Sequence, residues 1–265
     1  MKALIKIGGA LLDSSDLRDR LAREITAAAA SGVQIAVVHG GGKRMTRYLA
    51  ERGVESRFVN GLRVTTPEVL DAVVKVLAGS VNQELVAAFI AARSRAVGLT
   101  GLDGLLAEAE PAGTDMGATG RPVRSNPGLL DLLTAAGYLP VVACVGGDRQ
   151  GRIFNVNADQ MAAACAVGWS VDRLLFLTDV AGVLDVSGTL IPELPVAACD
   201  SLIRSQVVSG GMRAKLDAAL EAIRQGVPEV VIAAGAEPGI VARLLAGEAA
   251  GTRLVPQPIG AVRHG

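Results

Sequence analysis

Ile35-Ala36-Val37-Val38-His39-Gly40-Gly41-Gly42-Lys43 is the stretch that decides the fold. Four apolar residues in a row, with no polar alternation, read as a strand covered on both faces. The strand ends at His39 and three glycines. A helical pattern then runs from Lys43 to Arg52 and is stopped by Gly53. The same order stands at the start of the chain. Leu4-Ile5-Lys6-Ile7 predicts a strand that breaks at Gly8-Gly9, and Asp16 to Ser31 predicts a helix with Leu17, Leu21 and Ile25 on one face.

Outward from these two units the alternation continues. Strands are predicted at Ala96–Leu99, Leu139–Val145, Leu174–Leu177 and Glu229–Ala233, with Leu254-Val255 as a short closing strand. Helices are predicted at Leu129–Ala136, Ala158–Val167, Met212–Arg224 and Pro238–Leu245. Within Arg57–Val64, Asn60-Gly61 is the dipeptide that best tolerates a type I′ hairpin turn. Thr66-Pro67-Glu68 opens another helix, with threonine as N-cap and proline at the first helical position. Asp103 to Pro127, rich in Gly, Pro and polar residues, predicts a hairpin with irregular flanks.

Doubly covered strands joined by crossover helices imply an α/β architecture, a three-layer αβα sandwich with a mostly parallel central sheet. No internal repeat or low-complexity linker interrupts it, so residues 1–265 read as a single domain. Ligands of such sheets lie at the carboxyl ends of the strands. That points to Gly8-Gly9, His39–Lys43, Leu99–Gly104 and Thr178–Gly182.

Composition narrows the function classes. The 26 basic and 26 acidic residues cancel, which gives no global attraction to nucleic acid or to an anionic membrane. Half of the residues are hydrophobic, enough apolar surface to exclude a disordered chain. Cys144, Cys165 and Cys199 are an odd number without paired spacing, so they suggest neither a disulfide framework nor a zinc site, and each reads as a small buried hydrophobe. Neither a signal-peptide core nor a run of eighteen apolar residues occurs, and the expected location is the cytoplasm.

The glycine clusters carry the chemistry. Lys6-Ile7-Gly8-Gly9 and His39-Gly40-Gly41-Gly42-Lys43 expose backbone amides just after strands, and such amides at a helix start can close around phosphate oxygens. Tight turns alone would also account for one such cluster, less so for two at equivalent places. A P-loop is excluded because Val37 stands where its first glycine belongs, and no G-x-G-x-x-G occurs. The lipase-type reading of His39–Gly42 lacks a G-x-S-x-G elbow and any later histidine except His264. In Asn155-Val156-Asn157-Ala158-Asp159, helix capping accounts for one asparagine and the aspartate, but not for the second asparagine. Ser209-Gly210-Gly211-Met212 opens a helix that carries Lys215, and Thr178-Asp179 ends a strand. Alone, a solvated lysine and an ordinary turn explain those two features.

Together these motifs resemble the amino-acid-kinase family, nearly end to end, from Lys6-Ile7-Gly8-Gly9 to Gly251-Thr252-Arg253. Asn60-Gly61-Leu62-Arg63-Val64-Thr65 with Asn155–Gln160 points to its acetylglutamate branch. The resemblance implies ATP-dependent phosphorylation of the side-chain carboxylate of N-acetyl-L-glutamate in arginine biosynthesis, with Mg²⁺ carried by the nucleotide and no metal held by the protein itself. It implies that Lys6 and Lys215 stabilise the phosphoryl group in flight and that Asp159 positions both lysines. Gly8, Gly9, Gly40, Gly41 and Gly42 would bind phosphate, the last two also meeting the acyl amino acid together with Arg63, Asn155 and Asn157. Thr178, Asp179, Gly210, Gly211 and Met212 would lie around the nucleotide. An amino-acid half at 1–175, a nucleotide half at 176–265 and a homodimer through the helix after Thr66 are also implied.

The chemistry agrees with this inventory. A side-chain carboxylate with a pKa near ~4.3 is already ionised at neutral pH and needs no general base. His39 then reads as a hinge or hydrogen-bonding residue. Val97–Gly104 looks as much like sister kinases of carrier-linked aminoadipate or glutamate, which lack the Asn60–Thr65 motif. The motifs also admit an N-succinylated glutamate as substrate, or a catalytically silent amino-acid sensor that keeps the fold. The first strand begins close to Met1, without the extra helix of arginine-inhibited members, so insensitivity to arginine is expected. The stretch Pro256–Gly265 carries no motif and reads as a poorly ordered tail.

Overall fold

A computed structural model of the chain describes residues 1–205, 208 and 210–256. Ser209, His264 and the tail expectation for residues 257–265 therefore lie outside the described residues. In chain order the elements begin with β1 (Lys2–Ile7), α1 (Gly9–Leu12), α2 (Ser15–Ala30), β2 (Gln34–His39) and α3 (Gly42–Ala50). Next come the two-residue strands β3 (Phe58–Val59) and β4 (Leu62–Arg63), then α4 (Pro67–Val73), a π-helical stretch Val74–Val81, and α5 (Asn82–Ala91). The middle of the chain forms β5 (Ala96–Thr100), β6 (Ala107–Pro111), β7 (Thr119–Ser125), α6 (Gly128–Ala135), β8 (Leu139–Ala143), β9 (Val145–Gly147) and β10 (Ile153–Val156). The remainder is α7 (Ala158–Gly168), β11 (Arg173–Thr178), β12 (Glu193–Pro195), α8 (Val196–Arg204), α9 (Gly210–Arg224), β13 (Glu229–Ala234), α10 (Ile240–Ala246) and β14 (Thr252–Val255).

The central sheet has eight strands in the order β12-β14-β13-β11-β1-β2-β8-β5. All pairings are parallel except β13 with β14. The apolar residues of β1, β2 and β11 are fully or almost fully buried, as expected of strands covered on both faces. On one side α2 packs with α5 and α10; α7 and α9 form the other layer. The expected three-layer α/β sandwich is thus the observed one.

Local signals act as expected. Thr66 caps α4, its hydroxyl accepting from the Val69 amide at 3.4 Å, with Pro67 at the first helical position. Asn60 (φ 50°) and Gly61 (φ 79°) make the turn between β3 and β4, both in the left-handed region that a type I′ turn requires.

Two expectations change. The apolar run Leu139–Val145 is not one strand: it breaks at Cys144, where the chain leaves the main sheet. Val145–Gly147 joins β6, β7 and β10 in a small closed barrel, and the predicted hairpin within Asp103–Pro127 supplies β6 and β7. The helix after Thr66 is also more than an outer surface. Pro67–Ala91 runs 25 residues and contains an 18-residue window with a mean hydropathy of 1.4, long and apolar enough to cross a membrane by length and composition. Its Val73, Leu77, Val81, Leu85 and Phe89 instead pack into the core, leaving Val74 and Ile90 outside.

Candidate active site

Three charged side chains from three elements meet behind the carboxyl end of the sheet. Lys6 is the penultimate residue of β1 and pairs with Val38 of β2 and Phe176 of β11. Asp159 stands in the first turn of α7, where Asn157 caps the helix by accepting from the amides of Asp159 (2.9 Å) and Gln160 (3.2 Å). Lys215 lies in the second turn of α9. The Lys6 Nζ is 2.8 Å from Asp159 Oδ1, and the Lys215 Nζ is 3.1 Å and 3.2 Å from the two carboxylate oxygens. All three residues are more than nine-tenths buried. One carboxylate therefore holds two ammonium groups, and the cluster carries one positive charge away from solvent.

That arrangement sets the titrations. Burial alone would raise the Asp159 carboxyl, but the Lys6 and Lys215 charges outweigh it and hold the pKa below its usual value. For Lys215, burial and then repulsion from Lys6 exceed the attraction of Asp159, and its ammonium is pushed down to about 8.

The two glycine clusters touch beside the triad. A Cβ on Gly9 would lie 3.2 Å from the Gly41 Cα, and one on Gly41 would lie 2.6 Å from Leu77 Cδ2 of the π-helical stretch. Only glycine lets the two loops and that helix approach so closely. The amides of Gly9, Gly41 and Gly42, at the starts of α1 and α3, donate to no protein acceptor among the described residues. Gly8 plays a different part, its amide donating to the Leu177 carbonyl at 2.8 Å and tying β1 to β11. His39 is fully buried, and burial pushes its imidazole down to about 4, so it is neutral at physiological pH.

A cavity of about 210 Å³ opens beside these loops, lined by Lys6, Gly9, Gly40–Gly42, Arg63, Asn155 and Asn157. The volume lies below the ~300–1,000 Å³ of drug-sized sites, a scale that suits an acyl amino acid better than a whole nucleotide. Arg63 enters from β4, with its Nη2 2.9 Å from Thr46 Oγ1 and its guanidinium 4.6 Å from the Phe58 ring centroid. It has no carboxylate partner among the described residues. Asn155 donates from Nδ2 to Thr65 Oγ1 at 3.0 Å. A larger groove of about 610 Å³ between β7, α7 and α9 touches Gln160 of the Asn155–Gln160 motif but none of the expected site residues.

Thr178, Asp179, Gly210, Gly211 and Met212 do not line the cavity. Thr178 ends β11 next to Gly8 and donates to Asp179 Oδ1 at 3.1 Å, while Gly210–Met212 head the helix that bears Lys215. They stand on the β11 and α9 side, outside the cavity.

Sequence reasoning missed several residues here. Thr119 and Thr65 are buried under the hairpin, and the Thr119 hydroxyl donates to the Arg63 carbonyl at 2.6 Å. Thr119 sits in an irregular stretch with no pattern to mark it. Met45, Val73 and Leu77 give the cavity an apolar wall that helical periodicity assigns only to the core. Among the described residues no three His, Cys, Asp or Glu side chains gather into a metal cluster, and Asp159 is engaged by both lysines.

Residues 1–234 match the profile of the amino acid kinase family. The acetylglutamate kinase of Solibacter usitatus is 58% identical over 255 residues, covering 96% of this chain and 99% of that enzyme. The acetylglutamate kinase of Bartonella henselae is 40% identical over 266 residues, covering 95% and 88%. Among solved structures, the N-acetylglutamate synthase of Neisseria gonorrhoeae, complexed with coenzyme A and N-acetyl-glutamate, aligns with a TM-score of 0.86 at 25% identity. That alignment covers 97% of this chain, which spans 60% of the synthase.

Proposed function

The chain belongs to the amino acid kinase family, and from that premise we propose that it is an acetylglutamate kinase of arginine biosynthesis, transferring the γ-phosphoryl group of ATP to the side-chain carboxylate of N-acetyl-L-glutamate. The observation that carries the reading is the pair of buried ammonium groups held on Asp159 beside a cavity lined by free glycine amides and Arg63.

The acceptor carboxylate is an anion at neutral pH, so the obstacle is repulsion between two anions rather than proton removal. Lys6 and Lys215 offset the negative charge of the transferred group, and the amides of Gly9, Gly41 and Gly42 meet its oxygens. Low solvent access strengthens these interactions, and the fixed geometry lowers the cost of aligning donor and acceptor. A magnesium ion bound to the nucleotide would supply further charge neutralisation. Arg63, Asn155 and Asn157 hold the acyl amino acid in the cavity, while Thr178, Asp179 and Gly210–Met212 border the nucleotide. In this division residues 1–175 serve the amino acid and 176–265 serve ATP.

The test is acyl-phosphate formation, trapped as the hydroxamate, with ATP, magnesium and N-acetyl-L-glutamate. N-acetyl-L-aspartate, N-succinyl-L-glutamate and free L-glutamate run alongside. Signal with the acetyl compound and little with the others is the expected result; silence with all four from ATP-binding protein would sink the proposal.

Arg63→Ala should raise KM for N-acetyl-L-glutamate by about 10- to 100-fold, the scale of a lost hydrogen bond to a charged group, with kcat changed only a few-fold. An effect confined to the KM of ATP would contradict this placement.

We propose further that the enzyme is a cytoplasmic homodimer joined through the outer face of Pro67–Ala91. Support comes from exposed Val74 and Ile90 on that face and from three free, buried cysteines, which suit a reducing compartment. Sedimentation equilibrium should give twice the chain mass, and Ile90→Lys should shift it toward the monomer.

A further inference from the structure

The π-helical stretch Val74–Val81 ends on a polar residue in an apolar setting. Asn82 is 2% exposed on the core side of α5. Its Nδ2 donates to the Val141 carbonyl on β8 at 2.9 Å and to His39 Nε2 on β2 at 3.0 Å. On the other side of the ring, His39 Nδ1 is 3.0 Å from the Gly40 carbonyl. An amide nitrogen can only donate and a carbonyl oxygen can only accept. The chain of contacts therefore allows one neutral tautomer, with the proton on Nδ1 and the lone pair on Nε2. Gly98 on β5 leaves the space this needs, since a Cβ there would lie 2.2 Å from Asn82 Oδ1.

The Gly40 carbonyl shares a trans peptide unit with the Gly41 amide, and in such a unit C=O and N–H point in opposite directions. Holding the carbonyl back against His39 turns the Gly41 N–H away from the ring. Gly41 borders the cavity, and its amide is one of the three without a protein acceptor.

We propose that Asn82 is a positioning residue for the phosphoryl-transfer site: by fixing the His39 tautomer it locks the Gly40 carbonyl and aims the Gly41 amide into the cavity. The inference rests on the phosphate-binding role given above to the glycine loop. The charged group acting on His39 is Lys6 of β1, which disfavours a second proton on the ring. Beyond it lie Asp159 and Lys215, and Cys144, which follows β8, is a thiol that burial pushes up to about 11.

Nitrogen-15 NMR of the imidazoles tests this directly, since the chain has two histidines, His39 and His264. Folded wild-type protein should show a protonated Nδ1 and a bare Nε2 for His39. The opposite tautomer would overturn the proposal, whatever the substrate proves to be. Asn82→Asp supplies a second readout. A carboxylate at that place accepts from Nε2–H, which the ring provides with both nitrogens protonated in acid. Above its raised pKa the ring keeps only the Nε2 proton, turns a lone pair on the Gly40 carbonyl and frees the loop. The ratio of variant to wild-type kcat should fall about tenfold or more between about pH 5.5 and 8. A ratio that stays flat with pH in folded variant would also overturn the proposal. Wild-type protein with the expected tautomer but no activity on N-acetyl-L-glutamate would reject the substrate and leave the positioning role standing.

Discussion

Lys215→Ala is expected to lower kcat by about a thousandfold while KM for both substrates changes far less. The loss is large because Lys215 is a cation inside a water-poor site, facing charge that moves during transfer. Single fixed donors in such sites are worth about 10²–10³ in turnover. Stability should change little. Lys215 is held against its own titration preference by burial and by Lys6, and Asp159 keeps Lys6 as a partner after the substitution. Steady-state kinetics beside a thermal melt separates the two effects; a variant that keeps most of its turnover would remove Lys215 from the mechanism.

The same residue sets an alkaline limit. With its ammonium near pH 8 in the free enzyme, kcat/KM should fall as pH rises through that value, because the neutral amine no longer offsets phosphate charge. Lys215→Arg keeps a charge that does not titrate in this range. Whatever activity it retains should lack the descending limb.

Asp159→Ala is expected to be more damaging still, because it removes the anion that two buried cations share. Deleting one partner of a buried ion pair typically costs about 3–5 kcal/mol, or roughly 5–9 °C in Tm for a chain of this size. Turnover should fall to background as both ammonium groups lose their anchor. A steeper pH dependence than the wild type's distinguishes this from ordinary core damage. Without Asp159 the Lys215 pKa drops further below its unfolded value, so the folded state binds fewer protons than the unfolded state and stability rises with pH in that window. In the wild type, Asp159 acts in the same sense, but in the acid range. Its lowered pKa contributes stability at neutral pH that is lost only as pH falls through the folded-state value. A variant whose stability is independent of pH between about 7 and 10 would contradict the shared-anion account.

Particular residues explain how much of this was legible in the sequence. Lys6, Asp159 and the glycines announce themselves because strand ends and helix starts leave short-range marks, and Asn60-Gly61 and Thr66-Pro67 specify turns through backbone conformations that few residues adopt. The split at Cys144 leaves no such mark, since Leu139–Val145 is apolar whether it serves one sheet or two. Strands β10 and β12 and helix α8 were also missed, being short or without clear periodicity. Taken alone, Lys215 reads as an ordinary helix lysine; the family resemblance singles it out, and its placement against Asp159 supplies the physical reason. Asn82 was findable in principle, as a lone amide on the buried face of an otherwise apolar helix, but its partners His39 and Val141 lie far along the chain.

The sheet order has a consequence for how the protein is made. Strand β1 sits at the middle, with β2, β8 and β5 on one flank and β11, β13, β14 and β12 on the other. Strand β1 finds β2 early in synthesis, yet its other edge stays open until residues 173–178 are translated. During that interval the nascent chain displays unpaired backbone groups at Leu4 and Lys6, a template for mispairing with other chains. Pairing across about 170 residues of chain slows folding and lengthens that exposure, a cost set by the strand order and separate from the stability of the finished fold.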